Sequence, residues 1–396
     1  MKISQPIQIK VGVEGDERMP ERHYPGETIG IIGSSIASAL LAQVAGKLGY
    51  RVASLVLTDN NPVRQFANWQ TVTTEYTEES LHHFASRVDV VTAETGLLSN
   101  RDFQLLAELT DLTLSDDLIA ISTDRLIEKA YIDAAKCLVA PFSMVTNLSD
   151  IKEAVEYIGY PCVLKSTQRH LPSSHHHVVL YSEEDFDAAE IKVEEGTCIL
   201  EAWIPTEKKA SVTVVRNERG ELLIYPVFEV IHQGEYLGTQ VRYPAMISEP
   251  IEREINRLGQ LLAESLDLIG SLSIECFITS AGVIYINEAS IGLSEIAVFS
   301  MGSMSVSHFE ASLRALVGLP LPDLLPLSLA AIAIPVAQLD YEAVLTQFML
   351  RTDWSFNLFN LMGSQPEDLI GQVVVTGETL NHCERQIELT ELYKKG

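Results

Sequence analysis

No apolar run in this chain reaches the roughly 18 residues that a membrane span needs, so no transmembrane helix is expected. Basic residues are scarce. Against 54 Asp and Glu there are 28 Lys and Arg, giving a net charge of -26. A surface of that sign repels phosphate backbones and anionic headgroups, which argues against nucleic acid or a membrane as partner. An anionic small molecule such as ATP then needs a local cluster of Lys, Arg and backbone N–H groups. The five cysteines, at 137, 162, 198, 276 and 383, form no C-x-x-C pair and are odd in number. They read as buried free thiols of a reducing compartment rather than as a disulfide framework. Residues 1–27 lack an apolar core, so they do not read as a signal peptide, and a cytoplasmic location is expected. The motifs G-x-S-x-G and H-E-x-x-H are absent. So is G-x-G-x-x-G: after Gly30 and Gly33 come Ser34, Ser35 and Ser38, which argues against a dinucleotide site.

What is present suits a folded chain of two or three domains. The 396 residues are 46% hydrophobic and 21% charged. Residues 28–33 (TIGIIG) read as a strand, 36–48 as a helix apolar nearly all round and closed by Gly49, and 51–57 as a second strand. That is a β-α-β opening of the Rossmann type. Further strands are expected at 88–92 and 118–121, and a helix over 124–138. Strands at 162–165, 197–203, 210–216 and 222–230 suggest a mainly antiparallel sheet. An amphipathic helix follows over 251–268, its apolar positions Ile255, Leu258, Leu262, Leu266 and Ile269 recurring at three and four. Residues 270–278 and 282–287 form a hairpin, 307–317 a helix stopped by Gly318 and Pro320, and 319–326 (LPLPDLLP) a linker. Strands near 330–335 and 371–376 mark a small tail domain.

Three groups of residues could carry chemistry. Glu275 and Glu288 lie on the two strands of the hairpin, each among apolar neighbours. Two carboxylates in one pocket must share a proton or a cation, and few oxygen ligands suit Mg²⁺. The alternative is that both simply face solvent. Lys165 ends an apolar strand, where its ammonium can reach a cleft and meet a phosphate, or remain a surface lysine. The segment 168–177 (QRHLPSSHHH) has four histidines in eight residues, which fits a metal site or a solvated loop.

Taken together, these features resemble the N5-carboxyaminoimidazole ribonucleotide synthetase family of ATP-grasp enzymes, over residues 28–377. The resemblance implies an α/β and α+β fold. An N-terminal extension (1–27) is followed by a Rossmann-like domain (28–124). An ATP-grasp domain comes next (125–320, with a small lid at about 155–215), then a small β-rich C-terminal domain (327–396). The cofactors it implies are ATP and Mg²⁺, the partner a second copy of the chain in a homodimer. It implies nucleotide contacts from Arg125 in TDRLIEK, Lys165 in VLK, the hinge Glu201, Ala202, Trp203 and Ile204, and from His232, Asn287 and Glu288. Magnesium would sit on Glu275 and Glu288. Lys209 stands where a ribose-binding glutamate is expected, with Glu207 near enough to replace it.

The chain also departs from the family. The family's glycine-rich lid G-G-Y-D-G-K-G-Q falls at 169–176, where there is neither glycine nor lysine. Its G-G-G-Q-L-G-R-M becomes Gly33-Ser34-Ser35-Ile36-Ala37-Ser38-Ala39-Leu40. Its N-E-I-A-P-R-x-H-N-S-G-H becomes 287–298, NEASIGLSEIAV, and its C-terminal G-K and R-K-M-G-H become 363–364, GS, and 368–372, DLIGQ. Three segments thereby lose the basic and amide groups that would hold a ribonucleotide phosphate. The expected activity is that of a divergent ATP-dependent ligase with an altered small-molecule acceptor. The other readings are the synthetase itself, served by Arg242, Arg314 or Arg351, and a non-catalytic nucleotide-binding or protein-binding paralogue.

Overall fold

The computed structural model describes residues 22–94, 96–169, 177–232, 239–294, 296–359, 364–366, 368–390 and 392, without the side chains of His232 and Thr239. The 1–27 extension is therefore described only from residue 22. Most of the His-rich segment, residues 170–176, lies outside the described residues.

The N-terminal unit comprises β1 (Thr28–Ile32), α1 (Ile36–Lys47), β2 (Arg51–Val56), β3 (Trp69–Val72), α2 (Glu78–Ala85), β4 (Val90–Ala93), α3 (Asn100–Leu109) and α4 (Asp116–Thr123). Its sheet is parallel throughout, in the order β3-β2-β1-β4. Parallel strands need both faces covered, and their composition supplies it: β1 and β2 are buried along almost their whole length. One expectation fails here. Residues 118–121 belong to α4, not to a strand. Ser115 caps that helix by accepting from the N–H of Leu118, Asp116 and Asp117 sit in its first turn, and the apolar run is enclosed because the helix is buried on most sides.

A second sheet holds β5 (Phe142–Val145), β6 (Cys162–Ser166), β7 (His177–Leu180) and β8 (Cys198–Ala202). It is antiparallel, in the order β5-β8-β6-β7. Helix α5 (Arg125–Ala134) precedes it, α6 (Leu148–Ile158) and α7 (Phe186–Glu194) pack on it, and the whole encloses its own core of Val145, Ile151, Leu164 and Leu200.

The third sheet has nine strands and is antiparallel throughout. Its first part is β9 (Lys208–Arg216), β10 (Leu222–Ile224), β11 (Phe228–His232), β12 (Thr239–Tyr243), β13 (Gly270–Ile278) and β14 (Ile284–Ile291), with helix α8 (Glu249–Ser265) across its face. After α9 (Ser300–Ser303) and α10 (His308–Leu316) come β15 (Ala330–Ala337), α11 (Tyr341–Leu350), β16 (Trp354–Leu358), β17 (Leu369–Gly377) and α12 (Leu380–Glu388). Strand β15 pairs with β12, so the tail strands continue the same sheet. The single strand expected at 222–230 is two, because Pro226 lacks the N–H that a continuous ladder needs. Helix α8 buries Ile255, Leu258 and Leu262, and Gly259 lets it lie close: a Cβ there would come within 3.0 Å of Val212 and Val214.

One core cluster runs from Ile29, Leu40 and Leu41 of the N-terminal unit to Phe228, Phe299 and Phe309 of the large-sheet unit. That apolar seam fixes how the two units meet. All five cysteines are free and buried. No helix among the described residues is long and apolar enough to cross a membrane.

Candidate nucleotide site between the two antiparallel sheets

Asp124 caps α5, its carboxylate accepting from the N–H groups of Leu126 and Ile127. The helix therefore starts at Arg125 and carries Glu128 and Lys129 one turn on, where residues three and four apart share a face. Glu128 and Lys129 are only 1% and 2% exposed, an unusual state for charged side chains that demands partners. Arg125 donates from its guanidinium to the Ser166 carbonyl at 2.9 Å, and its backbone N–H donates to Thr167 at 2.9 Å. It thus fastens the end of β6. Lys129 donates to the Asn287 carbonyl at 2.7 Å and lies 3.6 Å from a Glu201 oxygen. Lys165, at the end of β6, reaches the same Glu201 oxygen at 3.1 Å. The other oxygen of Glu201 is buried without a hydrogen-bond partner.

Glu201 begins the expected hinge. Ala202 and Trp203 donate their N–H groups to the carbonyls of Pro141 and Pro161 at 2.8 and 3.0 Å, Trp203 is exposed, and the Ile204 carbonyl accepts from the Thr206 hydroxyl at 2.9 Å. Glu207 is exposed and ties the hinge to the large sheet, its N–H donating to Ile278 at 2.9 Å. Lys209 lies on β9 with its ammonium over the Phe277 ring. His232 ends β11, and its side chain lies outside what is described.

Glu275 and Glu288 are direct partners across β13 and β14, so their side chains leave the same face of the sheet. The register shifts just after Glu275, which makes Asn287 the extra residue of a bulge. Its amide donates to Glu275 at 2.7 Å. Glu288 accepts from Arg169 at 2.6 Å, and the other guanidinium nitrogen of Arg169 donates to Glu128 at 2.5 Å. The second oxygen of Glu128 accepts from the Ala289 N–H at 2.5 Å. Burial opposes ionisation of Glu288, but Arg169, with Arg125 and Lys165 nearby, outweighs it and holds the carboxyl below its usual range. Glu128 goes the other way. Burial pushes its pKa up, and Arg169, Lys129 and the Ala289 N–H draw it only part of the way back.

Four cations (Arg125, Lys129, Lys165, Arg169) thus meet four carboxylates (Glu128, Glu201, Glu275, Glu288) in a protein whose net charge is -26. Locally the formal charges of these eight groups cancel, against the strongly negative balance of the whole chain. Three of these groups, Glu128, Lys129 and Arg169, are absent from the sequence-level site. The first two had a signal: with Arg125 they make charges at i, i+3 and i+4 on one helix face. Arg169 had none.

A second region borders this one. Glu94 makes an isolated bridge with Leu293, just beyond β14. Its carboxylate accepts from the Ser35 N–H at 2.7 Å and from the Ser38 hydroxyl, at the N-terminus of α1. Gly33 makes the approach possible, since a Cβ there would fall 2.3 Å from the carboxyl carbon. A helix N-terminus attracts anions, and here the chain's own carboxylate fills that position. Arg242, Arg314 and Arg351 have partners of their own. Arg242 meets Glu384 at 2.8 Å, Arg314 meets Glu310 at 3.1 Å, and Arg351 lies over the Trp354 ring.

Two antiparallel sheets facing each other, with lysines and carboxylates between them, define an ATP-grasp protein. A profile of the ATP-grasp domain matches residues 130–309, and one of the ribonucleotide synthetase preATP-grasp domain matches 26–122. The chain belongs to the N5-carboxyaminoimidazole ribonucleotide synthetase family of ATP-dependent ligases. The synthase of Bacillus subtilis (strain 168) is 33% identical over 302 residues, 75% of this chain and 78% of that one. A crystal structure of an N5-carboxyaminoimidazole ribonucleotide synthetase in its ADP complex superposes with a TM-score of 0.85 at 30% identity, covering 94% of this chain and 98% of that one. The Aspergillus clavatus synthase with ADP and 5-aminoimidazole ribonucleotide shares the fold, with a TM-score of 0.82 at 21% identity over 93% of this chain and 98% of that one.

Proposed function

We propose that this ligase binds ATP between the small sheet and the β13–β14 hairpin, that transfer of the γ-phosphoryl group to a carboxylate or bicarbonate oxygen gives an acyl phosphate and ADP, and that an acceptor less anionic than a ribonucleotide takes the acyl group with release of phosphate. The assembly of Lys165 and Glu201, which meet diagonally across the antiparallel β6–β8 pair, with Arg125 on the Ser166 carbonyl carries the nucleotide half of this reading. Lys165 is the point charge for a phosphate. Glu201 through Ile204 lies along the adenine edge, with Glu207, His232 and Asn287 at the remainder of the nucleotide. That a relative was crystallised as an ADP complex supports nucleotide binding itself.

Mg²⁺ fits Glu275 and Glu288. Both are hard oxygen donors on one face, and each has one oxygen outside its bond to Asn287 or Arg169. When bound, the metal neutralises charge on the transferring phosphoryl group. The protein's own part is to hold the phosphates in line and to present Glu288 ionised.

The altered acceptor is supported by Glu94 on the N-terminus of α1, by the three segments without basic residues, and by the engagement of Arg242, Arg314 and Arg351 elsewhere. Each missing charged contact is worth about 1.5–3 kcal/mol, so three remove on the order of 5 kcal/mol, about 10³–10⁴ in specificity constant. A coupled assay of ADP release with bicarbonate and 5-aminoimidazole ribonucleotide tests it. We expect no ribonucleotide-dependent release, and robust release would restore the purine-pathway acceptor. A homodimer in the cytoplasm completes the proposal, and light scattering of the purified chain tests the dimer.

A further inference from the structure

We infer that Arg169 is a built-in counter-ion which lets nucleotide polyphosphate bind here without a divalent cation on Glu288. The inference rests on the nucleotide reading above and concerns what that binding requires.

Glu128 and Glu288 come from α5 and β14, and a single guanidinium spans them at 2.5 and 2.6 Å. Two carboxylates so placed repel each other and any phosphate brought beside them. In a site without an internal cation, a metal ion has to relieve both repulsions. Arg169 relieves them permanently, because a guanidinium does not lose its proton and its planar fork matches two carboxylates at once. Its side chain is 7% exposed and braced by a backbone N–H bond to the Thr123 carbonyl at 3.0 Å, so it is part of the wall rather than a surface residue. Its Nε is buried with no hydrogen-bond partner. Arg125 and Lys165 reinforce the same positive potential at Glu288. The lid segment has no lysine or glycine to wrap a phosphate, and Arg169 is its first residue. Metal is then a requirement of phosphoryl transfer and not of binding.

Calorimetric titration of ATP and ADP, each in EDTA and in Mg²⁺, tests the inference on the full chain. For the wild type we expect dissociation constants within about threefold of each other in the two buffers. Arg169→Gln strands the buried Glu128, so the Arg169→Gln/Glu128→Gln double variant, which leaves no buried charge unpaired there, is measured beside it. We expect the double variant to bind about tenfold or more weakly in EDTA and to recover in Mg²⁺, and adding Glu288→Gln to abolish that dependence. A purely structural role for Arg169 lowers affinity equally in both buffers. That result overturns the inference, as does a wild-type affinity that falls tenfold or more on chelation. Absence of binding in both buffers overturns the nucleotide reading itself and the inference with it.

Discussion

Two cations in this protein are each clamped between two carboxylates, and they behave differently. Arg169 lies between Glu128 and Glu288 in the cleft, whereas His23 lies between Glu27 and Asp111 at the edge of the N-terminal unit, at 2.7 and 2.9 Å. The first joins a helix to a strand of another sheet and cannot titrate. The second joins the segment before β1 to the residue beyond α3, and its charge depends on pH. Hydrogen bonding to Asp111, then to Glu27, overcomes burial and raises the His23 pKa to about 9. The same geometry thus serves as a permanent electrostatic wall in one place and a reversible latch in the other.

The largest expected effect comes from breaking the permanent clamp. Glu128→Ala leaves Arg169 with one partner and removes the acceptor of the Ala289 N–H, and we expect a loss of about 3–5 kcal/mol in urea unfolding. A loss below about 1 kcal/mol would show that the clamp is not structural.

Lys165 sharpens the contrast, since it has a single carboxylate partner and is 25% exposed. Lys165→Ala leaves the buried Glu201 with Lys129 at 3.6 Å, so it should cost less in urea unfolding than Glu128→Ala but weaken ATP by about 1.5–3 kcal/mol in calorimetry. An equal loss in folding stability would make it a second clamp rather than a ligand group.

The latch should respond to pH. Its folded pKa of about 9 lies above the ordinary 6.5, so its contribution is full below pH 6.5 and is lost as pH rises through 9. Glu27 and Asp111 are about a third exposed, and solvent screening holds the change to about 1–2 kcal/mol. His23→Gln should flatten stability between pH 6.5 and 9.5, and an unchanged slope would assign it to other groups.

The smallest effect concerns Glu94, a carboxylate held by an N–H and a hydroxyl rather than by a cation. Glu94→Ala removes the anion at the α1 N-terminus and should cost about 0.3–1 kcal/mol in thermal unfolding.

Much of the cleft is legible in the sequence because its parts are local. Lys165 ends an apolar strand, and Glu275 and Glu288 face each other because a hairpin turns between them. The 118–121 segment misleads for a related reason: four apolar residues fit a buried strand or a buried helix equally, and only the Ser115 cap and its acidic first turn decide.

The sequence by itself determined the order of elements, the amphipathic stripe of α8, the hairpin and the shortage of positive charge. These depend on neighbours within a few residues, where periodicity of 2.0 or 3.6 is visible. Only the tertiary structure decided that Arg169 serves Glu128 and Glu288, which lie 41 and 119 residues away, and that Glu94 reaches back 59 residues to the Ser35 N–H. No local pattern encodes such pairs. A buried charge must find an opposite one, but which one it finds is set by how the sheets and the apolar seam bring distant segments together.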